Sequence, residues 1–590
     1  MSNSILKFEI ENSFKQLSLR EKMYAYYMSK AAWSGSRIIM KQRSSESVEI
    51  FDFLINVFKN KKDLTNCMTP DQWQAFLNYT AQIFGNLGNY SGGNGSKIIP
   101  DKCIPAKLVR SMLPPSLRDA FDEISDIMYA SSPNKLGFFT DPEMCCSTSY
   151  HSRDITKEDA EKCSRFMAAN KINPENTRLI KHIDDTFVIT FAAVNTNQFP
   201  PREFENSHFT LLYGDYSNEL KEINKWLNLA FKYAANDYQR DMIKGYIKSF
   251  ETGNLNFHKD AQRQWIKDKS PAVETIVGFI ESYSDPAGTR AEFELMVALI
   301  DKNMTAKYQE LIGKGKQLIS TLPCPNDFEK SKFNPDFTSV NVLNFATPCI
   351  PTSINFKNIA LTNIIYANAP KSRIPFIHES LQELFLLFRN SSSEMGVGLY
   401  ELLGNVSVTL LGKICISLYL SVNPDVHAIF KHEKNEIQGI IWILWLNMCL
   451  AGLKSLEAYD EINGWQQAQS QAQFAILQVL LTGDDFVSIT ETGPDNLEIN
   501  VNPAKINSVG IPLISKLLTQ LTTDVQSLTE MYSTVSKKFI KYKKIVDAVT
   551  KDKPRSIFVQ PNVVLYPNGV KLIEYEPTPE GIIQSFLDRN

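Results

Sequence analysis

Apolar and polar positions alternate with helical spacing near the start of the chain. In residues 19–37, Met23, Tyr26, Tyr27 and Lys30 recur at intervals that predict an amphipathic helix with its aromatics facing a core. A glycine- and asparagine-rich cluster at 86–96 marks an irregular loop, and it lacks the trailing Lys-Ser/Thr of a phosphate-binding loop. Residues 186–194 and 208–213 are rich in β-branched and aromatic side chains and predict strands, so the first lobe is expected to be mixed. From 219 to 316 the periodicity reads as helical, broken by the turn chemistry of Ser284, Asp285, Pro286 and Gly288. Pro323, Pro325 and Pro335 interrupt it, and 341–355 reads as short extended segments. Residues 379–531 are again mostly helical, which predicts a second lobe of helices packed on helices. In the tail, 556–560 and 563–575 predict strands around the Pro567-Asn568-Gly569 turn, followed by a helix over 579–587.

At 590 residues, 43% of them apolar and 22% charged, the chain is too long for one hydrophobic core and is expected to form two lobes or more. A net charge of −3 from 62 basic and 65 acidic residues gives no global field for nucleic acid or an anionic membrane, so the expected partner is a peptide or small molecule, with no nucleic acid and no membrane. Residues 537–555 carry eight basic side chains, which read as a solvated helix face.

Location follows from similar reasoning. Residues 1–20 place Lys7, Glu9, Glu11 and Lys15 among single apolar residues, unlike a signal peptide, and a cytosolic protein is expected. The most apolar window, 440–453, is shorter than the roughly 20 residues of a bilayer span and contains Asn447; it predicts a buried helix. Nine cysteines, odd in number and without CxxC spacing, read as reduced core thiols, the adjacent Cys145 and Cys146 included. A monomer is expected.

Longer stretches carry a resemblance. Trp265-Ile-Lys-Asp-Lys-Ser-Pro-Ala-Val-Glu274 and Gly278-Phe-Ile-Glu-Ser-Tyr-Ser-Asp-Pro286 resemble the substrate-cleft segment of the dipeptidyl peptidase III family. Residues 448–481 resemble it too, with Trp465-Gln-Gln-Ala468 and Phe474-Ala-Ile-Leu477, as do 24–33, Phe337-Thr-Ser339, 350–355 and Phe558-Val-Gln-Pro-Asn562. The resemblance runs from residue 20 to the end of the chain. It implies an α+β, two-lobed dipeptidyl peptidase III fold: a mixed lobe with a small β-barrel, a mostly α-helical lobe, and a wide cleft between them. The mixed lobe would take residues 1–301, 337–372 and 555–590; the helical lobe would take 302–336 and 373–554.

That family carries a zinc motif, HELLGH, in which both histidines bind the metal and the glutamate activates water. Here the matching segment reads Tyr400-Glu401-Leu402-Leu403-Gly404-Asn405. On a regular helix the ends of such a hexamer lie about 140° apart, so the family must distort its helix to aim both at one metal. A phenol that titrates near pH 10 and a neutral amide are poor replacements for imidazole. The third ligand, a glutamate ahead of a Gly-Leu-Tyr-Leu run, falls at Leu410 when that run is matched to Ser417-Leu418-Tyr419-Leu420. The resemblance therefore implies no metal and no other cofactor. The chain's seven histidines form no HExxH.

Other positions matched to the family are also altered. Gln469 and Gln473 stand where it has a histidine and an arginine, and Arg555 is kept beside Ser556. Glu281, Tyr283, Glu292, Trp265, Ser353 and Asn355 match residues that hold the peptide's N-terminal amine or line the substrate, which the family binds as an added strand along 350–355. The same residues also read as core aromatics and structural ion pairs. Two functions are expected from this. One is a pseudopeptidase whose cleft, including Asn405, Gln469, Gln473 and Arg555, binds a ligand without cleaving it. The other is a metal-independent isomerase or cyclase using Glu401, Tyr400 and Tyr283 for acid–base chemistry on a small organic substrate.

Overall fold

The helix Leu19–Arg43 starts where the sequence can cap it. The Ser18 backbone N–H donates to Glu21 Oε2 at 2.7 Å while its hydroxyl accepts from the Glu21 N–H, a reciprocal capping box. One face of the helix, including Ala25, Met28, Ala32 and Ile39, is buried against the helix Ser217–Phe231 and the strand Glu292–Ile300. Gly35 permits the close approach, because a Cβ there would lie 2.3 Å from the Phe293 ring. The computed structural model describes residues 5–8, 10–60, 67–92, 95–134, 136–138, 149–182, 186–269, 271–282, 284–323, 337–348, 353–356, 362–366, 406–462, 464–465, 468–493, 496–523, 533–550 and 557–590. Tyr283, Tyr400, Glu401, Asn405 and Arg555 lie outside these.

Under that helix lies a five-stranded sheet ordered Ser353–Phe356, Thr362–Tyr366, Phe337–Ala346, Glu292–Ile300, Val273–Glu281. The last two form an antiparallel hairpin across the predicted turn. This corrects the helical expectation for 219–316, which holds for Ser217–Phe231, Asp237–Thr252, Leu255–Trp265 and Lys302–Gly313 but fails at 273–281 and 292–300. Those two strands are buried on both faces for nearly their whole length, so they show no polar alternation, and a short apolar run of that kind is indistinguishable from a buried helix by period alone.

A second sheet joins Thr177–Lys181, Thr186–Ala192 and Ser207–Asp215 with the short Asn197–Gln198 and Arg202–Phe204, as the β-branched runs predict. Its core stacks Phe166 on Phe209 with centroids 4.2 Å apart. Neither five-stranded sheet closes among the described residues, which corrects the expected barrel. Closure needs the outer strands to pair in a consistent stagger, and the four-residue Ser353–Phe356 strand pairs only with Thr362–Tyr366.

The fold has two lobes. One core draws on residues between Phe8 and Ala346 and again between Ile557 and Phe586. Another draws on residues between Met304 and Val546, built from Val406–Leu420, Ile437–Lys454, Ala468–Leu480 and Ile511–Thr523. In the second, Gly452 lets two helices touch: a Cβ there would lie 2.7 Å from Leu477 Cβ. The segment Ile437–Ala458 is long and apolar enough to cross a membrane by composition, but half of its apolar window is buried inside the protein, as expected of a core helix. The hairpin Val487–Gly493/Asn496–Val501 is a strand pair inside a stretch expected to be helical.

The tail returns to the first lobe. Ile557–Val559 pairs in parallel with Ile5–Lys7, and the predicted hairpin forms from Asn562–Tyr566 and Gly569–Ile573. Gln560 then holds the Phe337 strand like an added strand residue, its Oε1 accepting from Phe345 N at 2.8 Å and its Nε2 donating to Phe345 O at 2.9 Å.

Candidate functional site

Directly opposed residues of an antiparallel hairpin share a face. The register pairs Glu281 with Glu292, Gly278 with Glu294 and Glu274 with Ala298, with a bulge between Phe279 and Glu281. Four glutamates therefore lie on one face of two otherwise apolar strands, with Glu281, Glu292 and Glu294 gathered at the end next to the turn.

The helix Leu19–Arg43 sets that end of the hairpin. Gln42 Nε2 donates to Ala291 O at 3.0 Å and Phe293 N donates to Gln42 Oε1 at 2.8 Å, so an amide side chain continues the ladder past the strand. The next residue, Arg43, is buried and places Nη2 3.4 Å from Glu292 Oε1. The other Glu292 oxygen accepts from Ser284 Oγ at 3.0 Å. Glu294 is buried beside them; burial first, and then the charges of Glu292 and Glu281, hold its carboxyl well above the usual carboxylate range. One of its oxygens, Oε2, has no hydrogen-bond partner among the described residues. The cluster thus gathers three carboxyl groups on one face, with the Arg43 guanidinium beside Glu292.

The turn is built from behind. Asp285 accepts from the backbone N–H groups of Ala287 at 3.1 Å, Thr289 at 3.0 Å and Arg290 at 2.7 Å. Buried against it are Arg290 and His151, whose imidazole is pushed down to about 4 mainly by burial and by Arg290, and so stays neutral. This arrangement fixes the loop that carries Ser284.

Trp265 belongs to the first core and donates from Nε1 to Glu274 Oε1 at 2.6 Å, a buried structural bond. Burial raises the Glu274 carboxyl to about 7 against the lowering effect of that bond. Ser353 and Asn355 stand on the outermost strand of the sheet, where Asn355 is level with Asn363 and so with Phe337, while Leu295 is level with Ala346. Nine residues of strand at about 3.3 Å each put them roughly 30 Å along the sheet from the glutamate cluster. The structure unites Glu281 and Glu292 and does not bring Ser353 or Asn355 to them. Leu410 and Gln469 sit on the backbones of two helices that pack together, Val406–Leu420 and Ala468–Leu480, with Gln473 one turn on and partly buried. Among the described residues no group of three His, Cys, Asp or Glu is placed to hold a metal ion.

Sequence reasoning missed Glu294, Glu274 and Arg43. The signal for Glu294 was present: two acids two residues apart in an apolar strand must share a face.

Comparison with known proteins places the chain. Residues 120–415 and 413–590 match the family model for peptidase family M49. The dipeptidyl peptidase 3 proteins of Mus musculus and Homo sapiens are each 32% identical, the alignments covering 99% of this chain and 94% of theirs; that of Dictyostelium discoideum is 31% identical over 99% of this chain and 96% of its own. Among solved structures, DPP III from Caldithrix abyssi superposes with a TM-score of 0.60 at 13% identity, covering 95% of this chain and 97% of that one. With its sequence matched almost end to end and its fold matched as well, the chain belongs to peptidase family M49, the dipeptidyl peptidase III family.

Proposed function

We propose that this protein is a pseudopeptidase of the family: a binding protein that holds the amino end of a peptide, or a small amine, in the interlobe cleft without hydrolysing it. The observation that carries the reading is the gathering of Glu281, Glu292 and Glu294 on one face, with Glu294 Oε2 buried and without a hydrogen-bond partner among the described residues. An ammonium group donates three hydrogen bonds, and a desolvated, carboxylate-rich pocket favours it over water.

The family resemblance implies zinc. The positions matched to its ligands offer a phenol at Tyr400, an amide at Asn405 and an alkyl chain at Leu410. This donor set does not fit a catalytic zinc, which needs three nitrogen, sulfur or carboxylate ligands and an open position. No step is routed through a metal.

The Mus musculus alignment spans 695 positions while this chain has 590 residues, so at least 105 of those positions have no residue here. A loss on that scale is in keeping with a changed role. The free thiols of Cys103, Cys163 and Cys449 suit a reducing compartment, and we place the protein in the cytosol as a monomer.

The test is fluorescence anisotropy with a labelled pentapeptide, alongside an assay for dipeptide release with zinc added. Binding that weakens at least tenfold when the peptide amine is acetylated, with no dipeptide released, is expected. Zinc-dependent release of dipeptides sinks the proposal, as does binding that ignores acetylation.

A further inference from the structure

A cavity of about 640 Å³ lies between the helix Leu19–Arg43, the helix Ser217–Phe231 and the tail segment 562–590. That volume suits a small-molecule site. Its helical wall is a single stripe of the Leu19 helix, with Tyr26, Ser29, Lys30, Trp33 and Arg37 at spacings of three and four.

The charges around it do not balance locally. Its acids are engaged: Glu219 with Lys41 at 2.5 Å, Glu222 with Lys225 at 2.7 Å, and Asp588 accepting from Tyr575 Oη and Gln584 Nε2 at 2.7 Å. Arg37 is paired with Asp52 through two bonds of 2.7 and 2.6 Å. Two cations remain. Lys30 has no anionic partner among the described residues. Arg589 lies 3.9 Å over the Trp33 ring and donates only to neutral oxygens, Asn562 Oδ1 and the carbonyl oxygens of Gln560 and Pro561, leaving its buried Nη1 without an acceptor. Burial, and then Arg589 itself, lower the Lys30 pKa, and burial lowers that of Arg589 to about 9 against the raising effects of Tyr575 and Asp588, as expected for two desolvated cations close together.

Neutral groups repeat the pattern. Ser29, 4% exposed, and the Trp33 indole N–H have no hydrogen-bond partner among the described residues. Asn344, fully buried, uses Nδ2 on Pro561 O at 2.7 Å but leaves Oδ1 without a donor. Three unpartnered donor groups and a free ammonium beside one unpartnered acceptor complement an oxyanion attached to a hydroxyl.

We propose that this cavity binds a small hydroxylated oxyanion, a phosphate monoester or a hydroxycarboxylate, held by Lys30, Arg589, Ser29 and Trp33 with its hydroxyl on Asn344. Glycerol 3-phosphate and glycerate are the probes, titrated calorimetrically into the full chain and checked by thermal unfolding against potassium chloride at equal ionic strength. At least one of them is expected to bind and raise Tm beyond chloride, the stronger of the two identifying the head group. Lys30→Met is expected to weaken that binding about tenfold or more, the cost of one charge-assisted hydrogen bond, while unfolding in chloride no earlier than the parent, because it also removes a desolvated cation. Trp33→Phe keeps the ring under Arg589, removes the N–H, and should weaken binding several-fold. Neither probe moving Tm beyond chloride overturns the proposal, as does full affinity in Lys30→Met. If that variant does not fold, unchanged affinity in Trp33→Phe overturns it instead.

Discussion

Glu281 and Glu292 stand directly opposite each other across the hairpin, one residue past a bulge, with Arg43 3.4 Å from the second of them. Like charges so paired repel unless a cation is shared between them, and the helix Leu19–Arg43 supplies only one close to the cluster. On the proposed reading, a bound ammonium group adds a second cation to this arrangement.

Removing Arg43 should therefore be severe. Arg43→Met leaves Glu292 buried and uncompensated, and a loss of about 3–5 kcal/mol is expected in urea denaturation. Adding Glu292→Gln to it should restore most of that loss; a double variant no better than the single one would show that the pair is not coupled.

Glu294→Gln separates binding from folding. Its carboxyl is held high by burial and by two neighbouring acids, so the amide should leave the melting temperature equal or higher. Affinity for a free peptide amine should nevertheless drop tenfold or more. Unchanged affinity would take Glu294 out of the site.

Glu274 predicts a pH dependence. Its carboxyl titrates near 4.5 when unfolded and at about 7 when folded, so the folded state binds the proton more tightly. Its stabilising effect is complete below pH 4.5 and is lost as pH rises through 7, a change of order 3 kcal/mol at 1.36 kcal/mol per pKa unit. Glu274→Gln keeps an oxygen for Trp265 Nε1 and should flatten the stability profile between those limits. A profile as steep as the parent's would be evidence against this assignment.

The pseudopeptidase reading predicts that metal removal does nothing. Incubation with a chelator, or with added zinc, is expected to leave both Tm and peptide affinity unchanged, since a phenol, an amide and an alkyl chain at the proposed ligand positions Tyr400, Asn405 and Leu410 would not hold zinc. A shift of several degrees with stoichiometric zinc would contradict the pseudopeptidase reading.

How far the sequence could be read depended on how each element is buried. The Leu19 helix was legible from its spacing, the 186–192 and 207–215 strands from their β-branched and aromatic side chains, and the tail hairpin from its Pro-Asn-Gly turn. Val273–Glu281 and Glu292–Ile300 were not, because a strand covered on both faces has no polar side to mark its period. The same blindness hid Glu294, whose meaning depends on a partner strand and on Arg43, some 250 residues earlier in the chain. Resemblance to a family located Glu281 and Glu292; only the register shows that they confront one another. Tyr283, Tyr400, Glu401, Asn405 and Arg555 lie outside the described residues.

The parallel pairing of Ile5–Lys7 with Ile557–Val559 joins segments 552 positions apart. Together with Gln560 on Phe345, it means that the tail ties the first strand of the chain to the strand beside the glutamate hairpin. During synthesis at about 5–20 residues per second, the helices of 406–523 emerge complete while the mixed lobe still lacks its tail segment. The order of assembly is thus the reverse of the order of translation: the half begun first is completed last, and a chain cut short before residue 557 would carry a finished helical lobe beside a mixed lobe without its tail.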